Sequence, residues 1–235
     1  MGVAPSAPKI KFCGISTLED AQHAVAAGAW AVGLIFWPHS PRRCEPGVAA
    51  EIGAALRRKV EVAGVFVNPT LQELTETAQA VGLTLLQLHG DEGPVFCAEA
   101  SRRTGCRVIK AARVRSGADI QALGAFHTDY HLLDSHVAGM PGGTGETFAW
   151  ELARTHRGNP PLILSGGLTP GNVAEAIAAV RPFAVDVASG VERSPGHKDQ
   201  AKLAAFAAAV AGTVAPAEAP APTPQPAHDP AEAVS

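Results

Sequence analysis

A single-domain parallel (β/α)8 barrel of the α/β class is the fold this sequence predicts, and three observations predict it. Short apolar runs alternate with stretches of helical periodicity eight times along the chain, the pattern of repeated parallel βαβ units. The length, 235 residues, is close to the roughly 250 residues of one closed barrel. Two glycine turns, Ser165-Gly166-Gly167 and Ser189-Gly190, follow the last two strand-like runs and are separated by one helix pattern. That arrangement fits a phosphate site at the C-terminal ends of neighbouring strands, where backbone N–H groups converge on one anion. An open doubly wound sheet is the competing architecture, but no G-x-G-x-x-G follows the first strand.

The elements follow in order. Residues 1–8 read as a loose leader and 9–212 as the barrel. Lys9 to Cys13 alternates polar and apolar residues and stops at Gly14. Thr17 is placed to cap the first helix, with Asp20 at the capping-box distance. Leu18, Ala21, Val25 and Ala26 form that helix's stripe, and Gly28 ends it. Ala31 to Trp37 is a continuous apolar strand, halted by the stiff loop Pro38-His39-Ser40-Pro41 that carries Arg42 and Arg43. Pro46 opens the second helix. Val60 to Val67 is the third strand, and Leu71, Leu74, Ala78 and Val81 mark the helix that closes at Gly82.

Leu83 to Leu88 forms the fourth strand, ending at His89-Gly90-Asp91-Glu92, and Pro94 to Arg103 the fourth helix. Arg107 to Ala111 is the fifth strand, with a short helix near Ala118 to Leu123. Tyr130 to Asp134 is the sixth, followed by a glycine-rich loop, Gly139 to Gly145, and a helix over Phe148 to Thr155. Leu162 to Ser165 and the run from Phe183 to Val187 are the seventh and eighth strands, with Pro170 in the first turn of the helix between them. Gln200 to Val210 is the final helix. Residues 213–235, rich in Ala, Pro and Glu, lack hydrophobic periodicity, so a disordered tail is expected there.

The formal net charge of −3 supplies no basic field for nucleic acid, and no apolar run is long enough to span a membrane. A cytoplasmic protein is expected. The four cysteines, Cys13, Cys44, Cys97 and Cys106, match no C-x-x-C spacing, so no metal site is read and each thiol is expected to be reduced.

Active sites of such barrels lie at the C-terminal strand ends. The polar or reactive residues there are Cys13, Arg42, His89, Lys110, Asp134, Asp186 and Ser189. A thiolate at Cys13 could act as a general base when nearby donors or positive charge favour it, although a strand cysteine is more often a small buried apolar residue. Asp134 either caps the loop after it or serves as a general acid. Asp186 interrupts an apolar run and could bind a hydroxyl or hold loop backbone. Arg42 and Arg43 sit in the stiff loop; arginine suits a carboxylate or phosphate, and one of the two is expected in solvent. His89 reads as structural, Asn172 as a first-turn helix residue, and Lys110 as a lysine with no feature marking it for Schiff-base chemistry.

The motifs Lys11-Phe12-Cys13-Gly14-Ile15, Gly33-Leu34-Ile35-Phe36-Trp37-Pro38-His39-Ser40-Pro41-Arg42, Gln87-Leu88-His89-Gly90-Asp91-Glu92, Leu132-Leu133-Asp134, Gly142-Gly143-Thr144-Gly145, Leu164-Ser165-Gly166-Gly167 and Val185-Asp186-Val187-Ala188-Ser189-Gly190-Val191-Glu192 occur in this order. With Lys198-Asp199 beyond them, the chain resembles the phosphoribosylanthranilate isomerase family over about residues 9 to 211.

The resemblance implies an aldose–ketose isomerase of tryptophan biosynthesis that performs an Amadori rearrangement of N-(5′-phosphoribosyl)anthranilate. Asp134 would be the general acid and Cys13 the general base. Arg42 would hold the anthranilate carboxylate, Asp186 a ribose hydroxyl, and backbone N–H groups around Gly166, Gly167, Ser189 and Gly190 the phosphate. It implies no cofactor or metal, and a monomer or homodimer. The chain departs from the family pattern at Ala149, Ala188 and Arg43, where aspartate, serine and tyrosine are usual. A histidine-pathway sugar isomerase and a non-catalytic phosphate binder are the competing functions; the former chemistry uses an aspartate pair, whereas the first strand here ends in Cys13.

Overall fold

The computed structural model describes residues 7–134, 150–156 and 160–213. Eight parallel strands close into a barrel in chain order: β1 (Lys9–Cys13), β2 (Ala31–Ile35), β3 (Glu61–Phe66), β4 (Leu85–Leu88), β5 (Arg107–Arg113), β6 (Tyr130–Asp134), β7 (Leu162–Ser165) and β8 (Ala184–Val187). Closure is made where β1 pairs with β8, in the register Lys11 with Asp186. The open sheet is thereby excluded. The strands are shorter than several of the apolar runs that announce them: Phe36, Trp37, Val67 and Leu83 fall just outside. Of these only Leu83 is buried, Phe36 and Val67 are half-buried and Trp37 is exposed, so an apolar run marks a strand without fixing where its ladder ends.

Successive strand residues point to opposite faces. Inside the barrel lie Ala31, Ala63, Leu85, Ile109, Leu132, Ile163 and Ala184. The other face packs on the helices in a second, larger core. Trp30, Tyr130 and Phe183 plug the N-terminal end, their ring centroids 5.4 to 5.5 Å apart, with the Lys9 ammonium over two of the rings. This leaves the C-terminal end as the functional mouth.

Local chemistry sets the helix ends. Pro46 and Pro94 stand in the first turns of α2 (Pro46–Leu56) and α4 (Pro94–Thr104), and Thr70 and Glu73 form a full capping box on α3 (Leu71–Val81). At α1 (Leu18–Ala26), Thr17 accepts from the Asp20 N–H as expected, but no reciprocal capping box forms. The Asp20 carboxylate instead accepts from the Lys198 N–H at 3.1 Å, 178 positions away, and so ties α1 to the hairpin Glu192–Ser194 with His197–Lys198. Pro170 lies in the turn before its helix, which spans Val173–Val180. Residues 150–153 are helical, as expected. The glycine-rich loop at 139–145, the leader up to residue 6 and the tail from 214 lie outside the described residues.

The last helix, Gln200–Ala211, is capped by the Asp199 carboxylate and buries Leu203, Phe206 and Val210, one stripe at helical spacing. Phe206 meets Phe12 of β1 edge to face, with centroids 6.0 Å apart. Among the described residues no helix is long and apolar enough to cross a membrane.

Two predictions follow from this packing. Phe206→Ala should destabilise the fold by about 3–5 kcal/mol, measured by urea unfolding, whereas exposed Ala204→Ser should change it by less than about 0.5 kcal/mol. The second concerns acid. His131 and His156 share a 3.0 Å contact between ring nitrogens, and burial holds both below the usual histidine range. Their folded pKa values are depressed, so the unfolded chain takes up protons first. Their contribution is present above about pH 6.5 and is lost as the pH falls through the folded values. Unfolding free energy should therefore drop between about pH 7.5 and 5.5, and drop less in the His131→Gln/His156→Gln variant.

Candidate active site

The chemistry-bearing residues meet at the C-terminal mouth because the strands end there in step. Cys13 closes β1 and pairs in register with Gly33. Asp134 closes β6 and pairs with Ser165 of β7. Between them, β7 and β8 deliver the two glycine turns. Gly166 and Gly167 adopt φ of 97° and 66°, a region that side chains resist. Asn172 secures this turn: its Oδ1 accepts from the Thr169 N–H and its Nδ2 donates to the Gly167 carbonyl. Ser189 and Gly190 lie in the short 3-10 turn Ser189–Val191. A Cβ on Gly190 would sit 1.9 Å from the Leu168 carbonyl oxygen. The two turns are therefore in backbone contact, which a side chain at 190 would break.

Cys13 is buried, and burial pushes its thiol up. Lys11 and Lys198 oppose that push, and Asp186 adds to it. Lys11 is fully buried on the inward face of β1. Its ammonium is 2.8 Å from Asp186 Oδ1, and Asp186 Oδ2 accepts from Ser165 Oγ at 2.9 Å. Burial alone would lower the Lys11 pKa, but Asp186 and Cys13 outweigh it and hold the group charged.

Arg42 arches over Gly14, where a Cβ would lie 2.8 Å from Arg42 Cδ. It grips Glu192 through Nε, at 2.8 and 3.1 Å, and through Nη2 at 2.9 Å. Lys198 Nζ takes the same carboxylate at 2.9 Å and donates to the Ala188 carbonyl at 3.1 Å. Burial alone would raise the Glu192 carboxyl; the hydrogen bonds from Arg42 and Lys198 outweigh it and hold the group below the usual range. Arg43 is exposed, 3.9 Å from Glu45.

His89 and Lys110, near the ends of β4 and β5, face different ways. His89, inward like Leu85 and Gln87, faces the mouth with Nε2 3.6 Å from Asp134 Oδ2, beyond hydrogen-bond reach. Burial lowers its pKa. Lys110 points out of the barrel, donating to the Gly90 carbonyl at 2.7 Å and pairing with Glu92 at 2.9 Å. Glu92 also accepts from the Asn68 and Gly90 N–H groups, so Lys110 organises the loop after β4. Cys44, Cys97 and Cys106 are free and buried in the larger core between strands and helices, with their thiols pushed up by burial, Cys44 to about 11.

A cavity of about 690 Å³ opens at the mouth beside β4 and β5, lined in part by His89 and Arg113. A larger one, about 780 Å³, lies at the opposite end near Trp30 and Arg57 and holds none of the groups just described. Position at the strand ends is therefore the better guide than size. Among the described residues no group of three or more His, Cys, Asp or Glu could hold a metal ion.

The sequence expectations placed Cys13, Asp134, Arg42, Asp186 and both glycine turns at this end, and all are found there. Lys11, Glu192 and Lys198 were missed as functional groups, although each lies inside a quoted motif. For Lys11 the available signal was its parity with Cys13 on one strand.

Residues 10–209 match the family model of N-(5'phosphoribosyl)anthranilate (PRA) isomerase. An N-(5'-phosphoribosyl)anthranilate isomerase from Pseudomonas syringae pv. tomato is 50% identical over 203 residues, 86% of this chain and 96% of that protein. One from Geobacter sp. strain M21 is 48% identical over 200 residues, 85% and 96% of the two chains. The crystal structure of the Thermotoga maritima phosphoribosyl anthranilate isomerase superposes with a TM-score of 0.79 at 42% identity, covering 87% of this chain and 99% of that one. A phosphoribosyl anthranilate isomerase solved in complex with reduced 1-(o-carboxyphenylamino)-1-deoxyribulose 5-phosphate gives 0.75 at 39%, with 87% and 99% covered. The chain belongs to the N-(5'-phosphoribosyl)anthranilate isomerase family of tryptophan biosynthesis.

Proposed function

We propose that the chain catalyses the Amadori rearrangement of N-(5′-phosphoribosyl)anthranilate to 1-(2-carboxyphenylamino)-1-deoxyribulose 5-phosphate, with Asp134 as general acid and Cys13 as general base. One observation supports this division of labour above others. Cys13 and Asp134 reach the same mouth from β1 and β6, with the paired glycine turns of β7 and β8 between them. A ribose anchored by its phosphate at those turns lies between a thiol and a carboxyl.

The steps balance within the substrate. Asp134 donates a proton to the ribose ring oxygen as the bond from that oxygen to C1′ breaks. The nitrogen lone pair moves in to form an iminium, which acidifies the C2′ hydrogen. Cys13, as thiolate, takes that proton and leaves an enolamine, which tautomerises to the ketone. C1′ is reduced as C2′ is oxidised, so no external electron acceptor enters. Backbone N–H groups around Gly166, Gly167, Ser189 and Gly190 receive the phosphate.

Asp186 keeps its pairs to Lys11 and Ser165 and offers a remaining lone pair to a ribose hydroxyl. Arg42 takes the anthranilate carboxylate; its pair with Glu192 uses Nε and Nη2, and Nη1 takes no part in it. The same reading makes the chain a cytoplasmic enzyme, monomeric or homodimeric.

Turnover followed by anthranilate fluorescence tests the reading. Cys13→Ser and Asp134→Asn should each lower kcat by about 10²-fold or more while still binding a reduced product analogue. Near-wild-type kcat in both variants would contradict the assignment.

A further inference from the structure

Lys11 has no part in the steps above, yet the barrel is built around it. It is fully buried and lies on the same face of β1 as Cys13, two residues earlier. Gly33, the register partner of Cys13 on β2, makes the room. A Cβ at that position would lie 2.8 Å from Cys13 Sγ and 3.0 Å from Lys11 Nζ. Sulfur and ammonium thus border one small space that glycine leaves open. An ammonium carries three donors and no acceptor. Asp186 receives one at 2.8 Å, and Ser165 holds the far oxygen of that carboxylate, so the ammonium is anchored on the β8 side.

We propose that Lys11 is a positioning residue for Cys13: anchored by Asp186, its ammonium turns a donor to the sulfur and holds it as the thiolate that accepts the substrate proton. The inference deepens the proposed function and rests on the role given there to Cys13. A thiol in a desolvated site resists ionisation, and an adjacent fixed positive charge is what offsets that.

Among the described residues four charged groups act on the sulfur: Lys11 from β1, Asp186 from β8, Lys198 from the hairpin and Arg42 from the loop after β2. Lys11 is the strongest of the cations upon it. Lys198 and Arg42 share the Glu192 carboxylate. Asp186 therefore has two opposed effects. It orients the ammonium, and its own negative charge disfavours the thiolate.

Titration of thiolate ultraviolet absorbance, with the Cys13→Ser signal subtracted, tests this without relying on catalysis. In Lys11→Met the Cys13 midpoint should rise by about one pH unit or more, and in Asp186→Asn it should fall. Should Lys11→Met fail to fold with Asp186 left unpaired, the Lys11→Met/Asp186→Asn variant makes the same comparison against Asp186→Asn, and its midpoint should be the higher of the two. An unmoved midpoint on removing the lysine, alone or in the double variant, would overturn the proposal. The two readings fail separately: full turnover by Cys13→Ser would remove Cys13 as base, while the titration reports on the sulfur whether or not it is the base.

Discussion

A lysine and an aspartate buried at the seam where β1 meets β8 are the constraint on which the site depends. Two charges removed from water each carry a desolvation cost of several kcal/mol, recovered only when the geometry is good and the remaining valences are filled. Here the 2.8 Å contact, the Ser165 hydroxyl on the second oxygen and the nearby Cys13 sulfur meet those conditions. Removing one partner of such a pair typically costs 3–5 kcal/mol, because the other is left charged in a dry interior. The pair couples closure of the barrel to the surroundings of the thiol.

A second buried knot works at the rim. Glu192 is held by Arg42 from the β2 side and by Lys198 from its own hairpin, and Asp20 on α1 holds the Lys198 backbone. The loop arginine, the eighth strand's turn and the first helix are thereby fixed relative to one another. Charges gathered around one carboxylate cost little reorganisation when an anionic ligand arrives, which is the condition for electrostatic stabilisation in an active site. The plugged N-terminal end and the contact of Gly190 with Leu168 serve the same end: one open face, with rigid turns upon it.

The barrel was legible in the sequence because most strands are apolar runs ended within a few residues by glycine, proline or a polar residue, β1 alternates instead, and helical patterns separate them. The site was legible as far as the strand-end rule reaches, which covers Cys13, Asp134, Asp186 and Ser189. Lys11 escaped because alternation of polar and apolar residues identifies a strand without saying which of its faces lines the barrel. In a closed barrel both faces are covered, and the residue two before Cys13 points inward with it. Parity also places Lys110, whose neighbours Ile109 and Ala111 face the interior, on the outer face, and His89 on the face it shares with Leu85 and Gln87. The Arg42–Glu192–Lys198 knot joins residues 150 positions apart, and no local pattern encodes it.

The central claim is that ring opening and C2′ proton removal are separate steps served by different residues. The most direct measurement is the kinetic isotope effect on turnover of substrate deuterated at C2′, compared between Cys13→Ser and Asp134→Asn. The account predicts a large primary effect in Cys13→Ser, where proton removal becomes limiting, and an effect near unity in Asp134→Asn, where ring opening does. Equal isotope effects in the two variants would contradict it.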